Sequence, residues 1–144
     1  MIDSIEYARI RRLVPRLCVD VVVLDSRGRV LLGRRVNEPM KGQWWIPGGA
    51  VILGESLESA LYRKLLDETG ITMSLVWDAH QAGVWEWIYG DGTHDVNVAF
   101  VLRLTSSDVR TLGNGEHSLM SWFQELPDID HRLSDLLTKY GFVS

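Results

Sequence analysis

The sequence predicts an α/β or α+β sandwich, and three observations carry that reading: short apolar runs rich in β-branched residues, one amphipathic helical stretch near the middle, and a second helical stretch at the end. With 144 residues, the chain suits a single domain over 1–144, whose core buries about two thirds of the unfolded surface. Ile2, Ile5, Ile10 and Leu13 recur at helical spacing and Pro15 ends the segment, so a short leading helix is expected. Residues 19–24 and 30–32 are apolar and flank the turn cluster Asp25-Ser26-Arg27-Gly28, which predicts a β-hairpin. After a loop with Asn37, Pro39 and Gly42, Trp44-Trp45-Ile46 reads as a short strand that Pro47-Gly48-Gly49 halts. Leu57, Ala60, Leu61 and Leu65 fall on one helical face, predicting a helix over 56–68 that Gly70 terminates. Further strands are expected over 82–89, 96–104 and 118–123, with Gly90-Asp91-Gly92 turning between the first two. Leu133, Leu136, Leu137 and Tyr140 mark a closing helix that ends at Gly141.

Composition narrows the function classes. Hydrophobic residues at 46% and charged residues at 24% give the balance of a soluble globular protein. Fifteen basic against 19 acidic side chains leave a net charge of -4, which argues against sequence-independent nucleic-acid binding but permits a local phosphate site. The first fifteen residues carry Asp3, Glu6, Arg9, Arg11 and Arg12 and no apolar run, so neither a signal peptide nor a membrane span is expected, and the expected location is cytoplasmic. Cys18 is the one cysteine and sits in an apolar run, so it reads as a core residue.

The stretch 48–71 carries the chemistry: Gly49, five residues, Glu55, seven residues, then Arg63-Lys64-Leu65-Leu66-Asp67-Glu68-Thr69-Gly70-Ile71. At about 100° per residue, Lys64, Asp67 and Glu68 project within a sector of about 100°, with Arg63 beside Asp67. Two adjacent carboxylates at one helix end suit Mg²⁺, which takes a few carboxylates, several waters and phosphate oxygens. Gly48-Gly49 lets the backbone approach closely, so a main-chain carbonyl can complete such a site.

This spacing resembles the Nudix box, a loop-helix-loop signature that binds metal diphosphates. Gly49, Glu55, Arg63, Glu68, Gly70 and Ile71 match it. The resemblance implies a Nudix-type α/β/α sandwich with a mixed sheet, with Gly49, Glu55 and Gly70 as structural members of the motif. It also implies that Glu55 pairs with Arg63 to brace the loop, and that Glu68 is the principal metal ligand. Two positions depart: Lys64 stands where the family carries Glu, and Asp67 where it carries the first Glu of a pair. Asp67 can still reach a metal through water, whereas the Lys64 ammonium cannot ligate Mg²⁺.

Residues 5–125 further resemble one branch of that family, the GDP-mannose mannosyl hydrolases, through Val19-Asp20, residues 31–35, Asn37, Pro39, Gly42, Trp44, Gly83-Val84-Trp85, Thr93-His94, and Glu116-His117 ahead of Trp122. That likeness implies Mg²⁺, with Mn²⁺ as an alternative, held by the Gly48 carbonyl, Glu68 and Glu116 with Asp67 nearby. His117 is the implied general base, Arg35 and Arg63 serve the diphosphate, and Asp20 and His94 contact the substrate, Asp20 at the nucleobase. The implied reaction converts GDP-mannose to GDP and mannose by water attack at the anomeric carbon with inversion, and the implied assembly is a homodimer with the N-terminal segment at its interface. Ala50, Trp87 and Asp95 differ from the branch and leave the sugar and the base open. Two other readings stand beside it: a conventional Nudix diphosphatase that cuts a P-O-P bond with Asp67, Glu68 and Glu116, and a nonenzymatic nucleotide-sugar sensor.

Overall fold

A computed structural model describes residues 3–38, 40–112 and 117–143. Helix α1 (Ser4–Leu13) is followed by β1 (Arg16–Leu24), β2 (Val30–Arg35), β3 (Trp44–Trp45), β4 (Gly48–Ala50), α2 (Leu57–Thr69), β5 (Val76–Ile88), β6 (His94–Leu104), β7 (His117–Phe123) and α3 (His131–Lys139). The strands among the described residues form one mixed sheet along the path β3-β2-β1-β6-β5, to which β4 adds by pairing with β1 and β7 by pairing with β2. Only β1 and β6 run parallel among these pairs, and they stay in register from Arg16 opposite Asp95 to Leu24 opposite Arg103.

Strand alternation sorts the apolar residues onto two faces. Val19, Val21 and Val23 join Val98, Phe100 and Leu102 against Ala60, Leu61 and Leu65 of α2. Val22 and Leu24 join Leu32 and Val101 against Leu133, Leu136 and Leu137 of α3. The sheet is thus a filling between α2 and α3, the expected sandwich with a mixed sheet. Local chemistry sets the helix ends: the Ser56 side chain accepts from the Ser59 amide at the start of α2, and Gly70 ends it at φ 74°, a left-handed conformation that costs a glycine little. Helix α1 is capped by Asp3 and buries none of its residues.

Three expectations are corrected. Pro47-Gly48-Gly49 does not simply halt a strand: β4 begins at Gly48 and pairs with β1, because a residue without Cβ can approach where an added Cβ would stand 2.4 Å from the Val19 carbonyl oxygen. Strand β5 begins at Val76 rather than at 82, since its first half is largely exposed and shows no apolar alternation, and pairing with β6 holds it through two register shifts. The hairpin forms only at its turn, where Leu24 faces Val30; beyond it β1 takes β4 and β6 as partners and β2 takes β3 and β7.

Candidate active site

On the face that α3 covers further along, the sheet leaves a cavity of about 580 Å³. Arg16, Cys18 and Asp20 reach it from alternate positions of β1, and Asp95 and Asn97 from alternate positions of β6. Trp87 and Tyr89 close one side, while Gly48, Gly49 and Ala50 with Arg63 and Lys64 of α2 form the other, and Arg35 and Asn37 stand at the end of β2.

The glycine strand and α2 are joined by side chains that the box spacing brings together. Arg63 donates from Nε and Nη2 to the two Glu55 carboxylate oxygens at 2.7 and 2.8 Å, and from Nη2 to the Ala50 carbonyl at 3.1 Å. Glu55 also accepts from the Ile52 amide, and the adjacent guanidinium, with that amide, holds its carboxyl down to about 2. Glu68 is completely buried; its Oε2 lies 3.4 Å from the Gly48 amide, which donates to it, and its Oε1 lies 4.0 Å from Lys64 Nζ. Asp67 is exposed and does not line the cavity. Glu116 and the side chain of His117 lie outside the described residues, as does Pro39, but the backbone of His117 is paired with Arg35 across β2 and β7.

Oxygen donors beside a glycine strand suit a hard divalent cation: Glu68 and the neighbouring Gly48 peptide are such donors, and Mg²⁺ fills its remaining positions with water and phosphate oxygens. No group of three His, Cys, Asp or Glu side chains gathers as a metal set among the described residues.

At the floor, Asp20 Oδ2, Asn97 Oδ1 and Trp87 Nε1 are buried and make no hydrogen bond among the described residues. Burial pushes the Asp20 carboxyl up to about 7 against the opposing pull of Asn97. Such orphaned polar atoms are rare in folded interiors, and in a cavity wall they are poised for hydrogen bonds to a ligand. At the rim, Asp95 accepts from Arg11 at 2.6 Å, from Arg16 at 2.8 and 3.0 Å, and from the Tyr89 hydroxyl at 3.0 Å. Burial works against the Asp95 charge, but the two guanidiniums hold its carboxyl below the ordinary carboxylate range.

Of the residues singled out in the sequence, Asp20, Arg35, Gly48, Gly49, Arg63 and Lys64 meet at this cavity, with Glu68 just behind Gly48. His94 does not join them: it follows Val96 and Val98 on the α2 face, and its ring pairs with Glu86 at 2.8 Å. Cys18 is buried as expected, and burial pushes its thiol up to about 12, so it is not a ready nucleophile. Arg11, Arg16, Asp95 and Asn97 were not foreseen. For Arg16, Asp95 and Asn97 the signal was the polar residue at every second position of otherwise apolar strands, which is unusual where both faces are covered, whereas Arg11 lies in α1 and had no such signal.

The NUDIX domain family matches residues 14–133. The low-salt glycan biosynthesis protein Agl8 of Haloferax volcanii is 32% identical over 126 residues, covering 83% of this chain and 77% of that protein. The ADP-ribose pyrophosphatase of Methanocaldococcus jannaschii is 27% identical over 122 residues, covering 83% of this chain and 70% of its own length. The crystal structure of a MutT NUDIX hydrolase from Burkholderia pseudomallei superimposes with a TM-score of 0.74 at 28% identity, covering 88% of this chain and 98% of that one.

Proposed function

The chain belongs to the Nudix family, whose members use divalent metal ions, and on that premise we propose that it hydrolyses a nucleoside diphosphate sugar, GDP-mannose first among them, to GDP and free sugar. Water attacks the anomeric carbon with inversion. One observation carries the choice of carbon over phosphorus: α2 turns a single carboxylate, Glu68, to the glycine strand, while Lys64 fills the next inward position and Asp67 is exposed. Attack at phosphorus is commonly served by a pair of metal ions and the carboxylates that hold them. Loss of a nucleoside diphosphate asks mainly for positive charge around a weakly basic leaving group, which Arg35 and Arg63 supply at the cavity wall.

In this reading Gly48 through its carbonyl, Glu68 and Glu116 hold Mg²⁺ or Mn²⁺, Asp67 assists through water, and the ion contributes charge to the departing phosphate. His117 takes the proton from the attacking water, a role suited to an imidazole near neutral pH. Its pairing opposite Arg35 supports that assignment. Asp20 contacts the nucleobase from the cavity floor, where its unbonded oxygen favours a polar substrate group. Gly49, Glu55 and Gly70 keep the motif in shape. The protein is read as a cytoplasmic homodimer; α1, with no buried residue and with Ile5 and Leu13 largely exposed, supports the N-terminal segment as its interface. No helix among the described residues is long and apolar enough to cross a membrane.

A second reading, cleavage of a P-O-P bond, draws support from the name of the Methanocaldococcus relative, an ADP-ribose pyrophosphatase. Hydrolysis of GDP-mannose in ¹⁸O-labelled water separates the two. Label in mannose with unlabelled GDP is expected; label in a phosphate product would establish the diphosphatase, and binding without turnover would establish a sensor. His117→Gln is expected to lower turnover by roughly 10² to 10⁴ while sparing ligand binding.

A further inference from the structure

Lys64 occupies a position where the box ordinarily carries an acid, and the fold gives its ammonium a defined seat. The side chain lies flat across Gly49: a Cβ added there would stand 2.4 Å from Lys64 Cε and 2.7 Å from Nζ. Its Nζ is 4.0 Å from Glu68 Oε1, and the two side chains are 16% and 0% exposed. Lys64, Gly48 and Gly49 line the cavity, whereas Glu68 does not. An approach to the Glu68 carboxylate from the cavity therefore meets Lys64 and the glycine strand first. A carboxylate with no access to water is costly unless a positive charge or hydrogen bonds compensate it, and the Lys64 ammonium, 4.0 Å away, is a positive charge placed to contribute beside the long Gly48 hydrogen bond.

We propose that Lys64 is the resident cation of Glu68, that a divalent metal ion binds by displacing it, and that the displaced ammonium moves onto the phosphates of the substrate. This rests on the reading of Glu68 as a metal ligand. Lysine suits the exchange, being a compact charge on a flexible stem, and Gly49 leaves the space through which that stem can swing. Metal binding alone must uncouple Lys64 from Glu68, which disfavours it. When a diphosphate is present the ammonium gains a new partner, so each ligand favours the other through this side chain, and by reciprocity to the same degree.

The test is Mn²⁺ affinity, read from the free-ion electron paramagnetic resonance signal, for wild type, Lys64→Met and Glu68→Gln, each with and without GDP. Methionine keeps an unbranched stem over Gly49, and thermal melting checks that the variants are folded. Without GDP, Lys64→Met is expected to bind Mn²⁺ about tenfold more tightly than wild type, and to gain about tenfold less affinity when GDP is added. Equal Mn²⁺ affinity in wild type and Lys64→Met, with Glu68→Gln impaired, overturns the proposal and leaves Glu68 as a ligand. Undiminished Mn²⁺ binding by Glu68→Gln removes Glu68 from the metal site and overturns both.

Discussion

Two halves of one surface differ along β1 and β6. In the outer half, Arg16 faces Asp95, Cys18 faces Asn97 and Asp20 faces Ala99; in the inner half, Val22 faces Val101 under Leu133 and Leu137 of α3. The backbone register continues unchanged between them, so the sheet itself does not make a site. What changes is the cover: α3 seals the inner half with apolar side chains, while the outer half is left to a cavity whose wall carries orphaned polar atoms. The inner half stabilises the fold by burying apolar surface. The outer half sacrifices some stability to keep donors and acceptors available, a common trade at working sites.

That contrast can be broken from either side. Leu137→Ala, in the sealed half, is expected to cost about 4 kcal/mol by opening a cavity against the sheet, while kcat of the folded protein stays near wild type; denaturant unfolding and initial rates check both parts. Asp95→Asn, in the open half, is expected to cost about 3 kcal/mol because Arg11 and Arg16 lose a shared, buried partner, and a denaturation midpoint equal to wild type would contradict it. Gly48→Ala is expected to cost about 2 kcal/mol, since its Cβ would collide with the rigid Val19 carbonyl, whereas Gly49→Ala meets only the flexible end of Lys64 and should cost less. Comparable losses in the two glycine variants would show that Lys64 cannot yield.

The smallest effect concerns the brace. Glu55→Gln is expected to lower the melting temperature at pH 7 modestly. Because Arg63 depresses the Glu55 carboxyl from its ordinary 4.5 to about 2, the ionised form contributes its full stability above pH 4.5 and loses it as pH falls through about 2. Melting curves of wild type and Glu55→Gln should therefore converge between pH 4.5 and 2. A difference that persists undiminished at pH 2 and below would assign the effect to shape rather than charge.

The motif was legible because its chemistry is local. The distance from Glu55 to Arg63 is one loop and two helical turns, so the resemblance of that spacing to the family's box implied the ion pair, and the expected helix over 56–68, terminated by Gly70, matches α2 closely. The closing helix and the sandwich were equally plain from apolar periodicity. The rim was not, since Arg16 and Asp95 meet only through the parallel pairing of β1 with β6, and no short-range pattern states which distant strands will adjoin. The position of His94 was hidden for the same kind of reason: its neighbour Asp95 faces the cavity, and in a strand a shift of one position reverses the face.

The ion pairs of Asp95 with Arg16 and Arg11 tie together positions 79 and 84 apart in sequence, with β4 and α2 lying between them. Closing a loop of that length is entropically costly and slow compared with forming a helix or a hairpin. Completion of the cavity wall is therefore expected to wait on the pairing of β1 with β6. Recovery of ligand binding during refolding is expected to follow the formation of this long-range pairing rather than the appearance of helix, and binding regained together with helix would contradict that order.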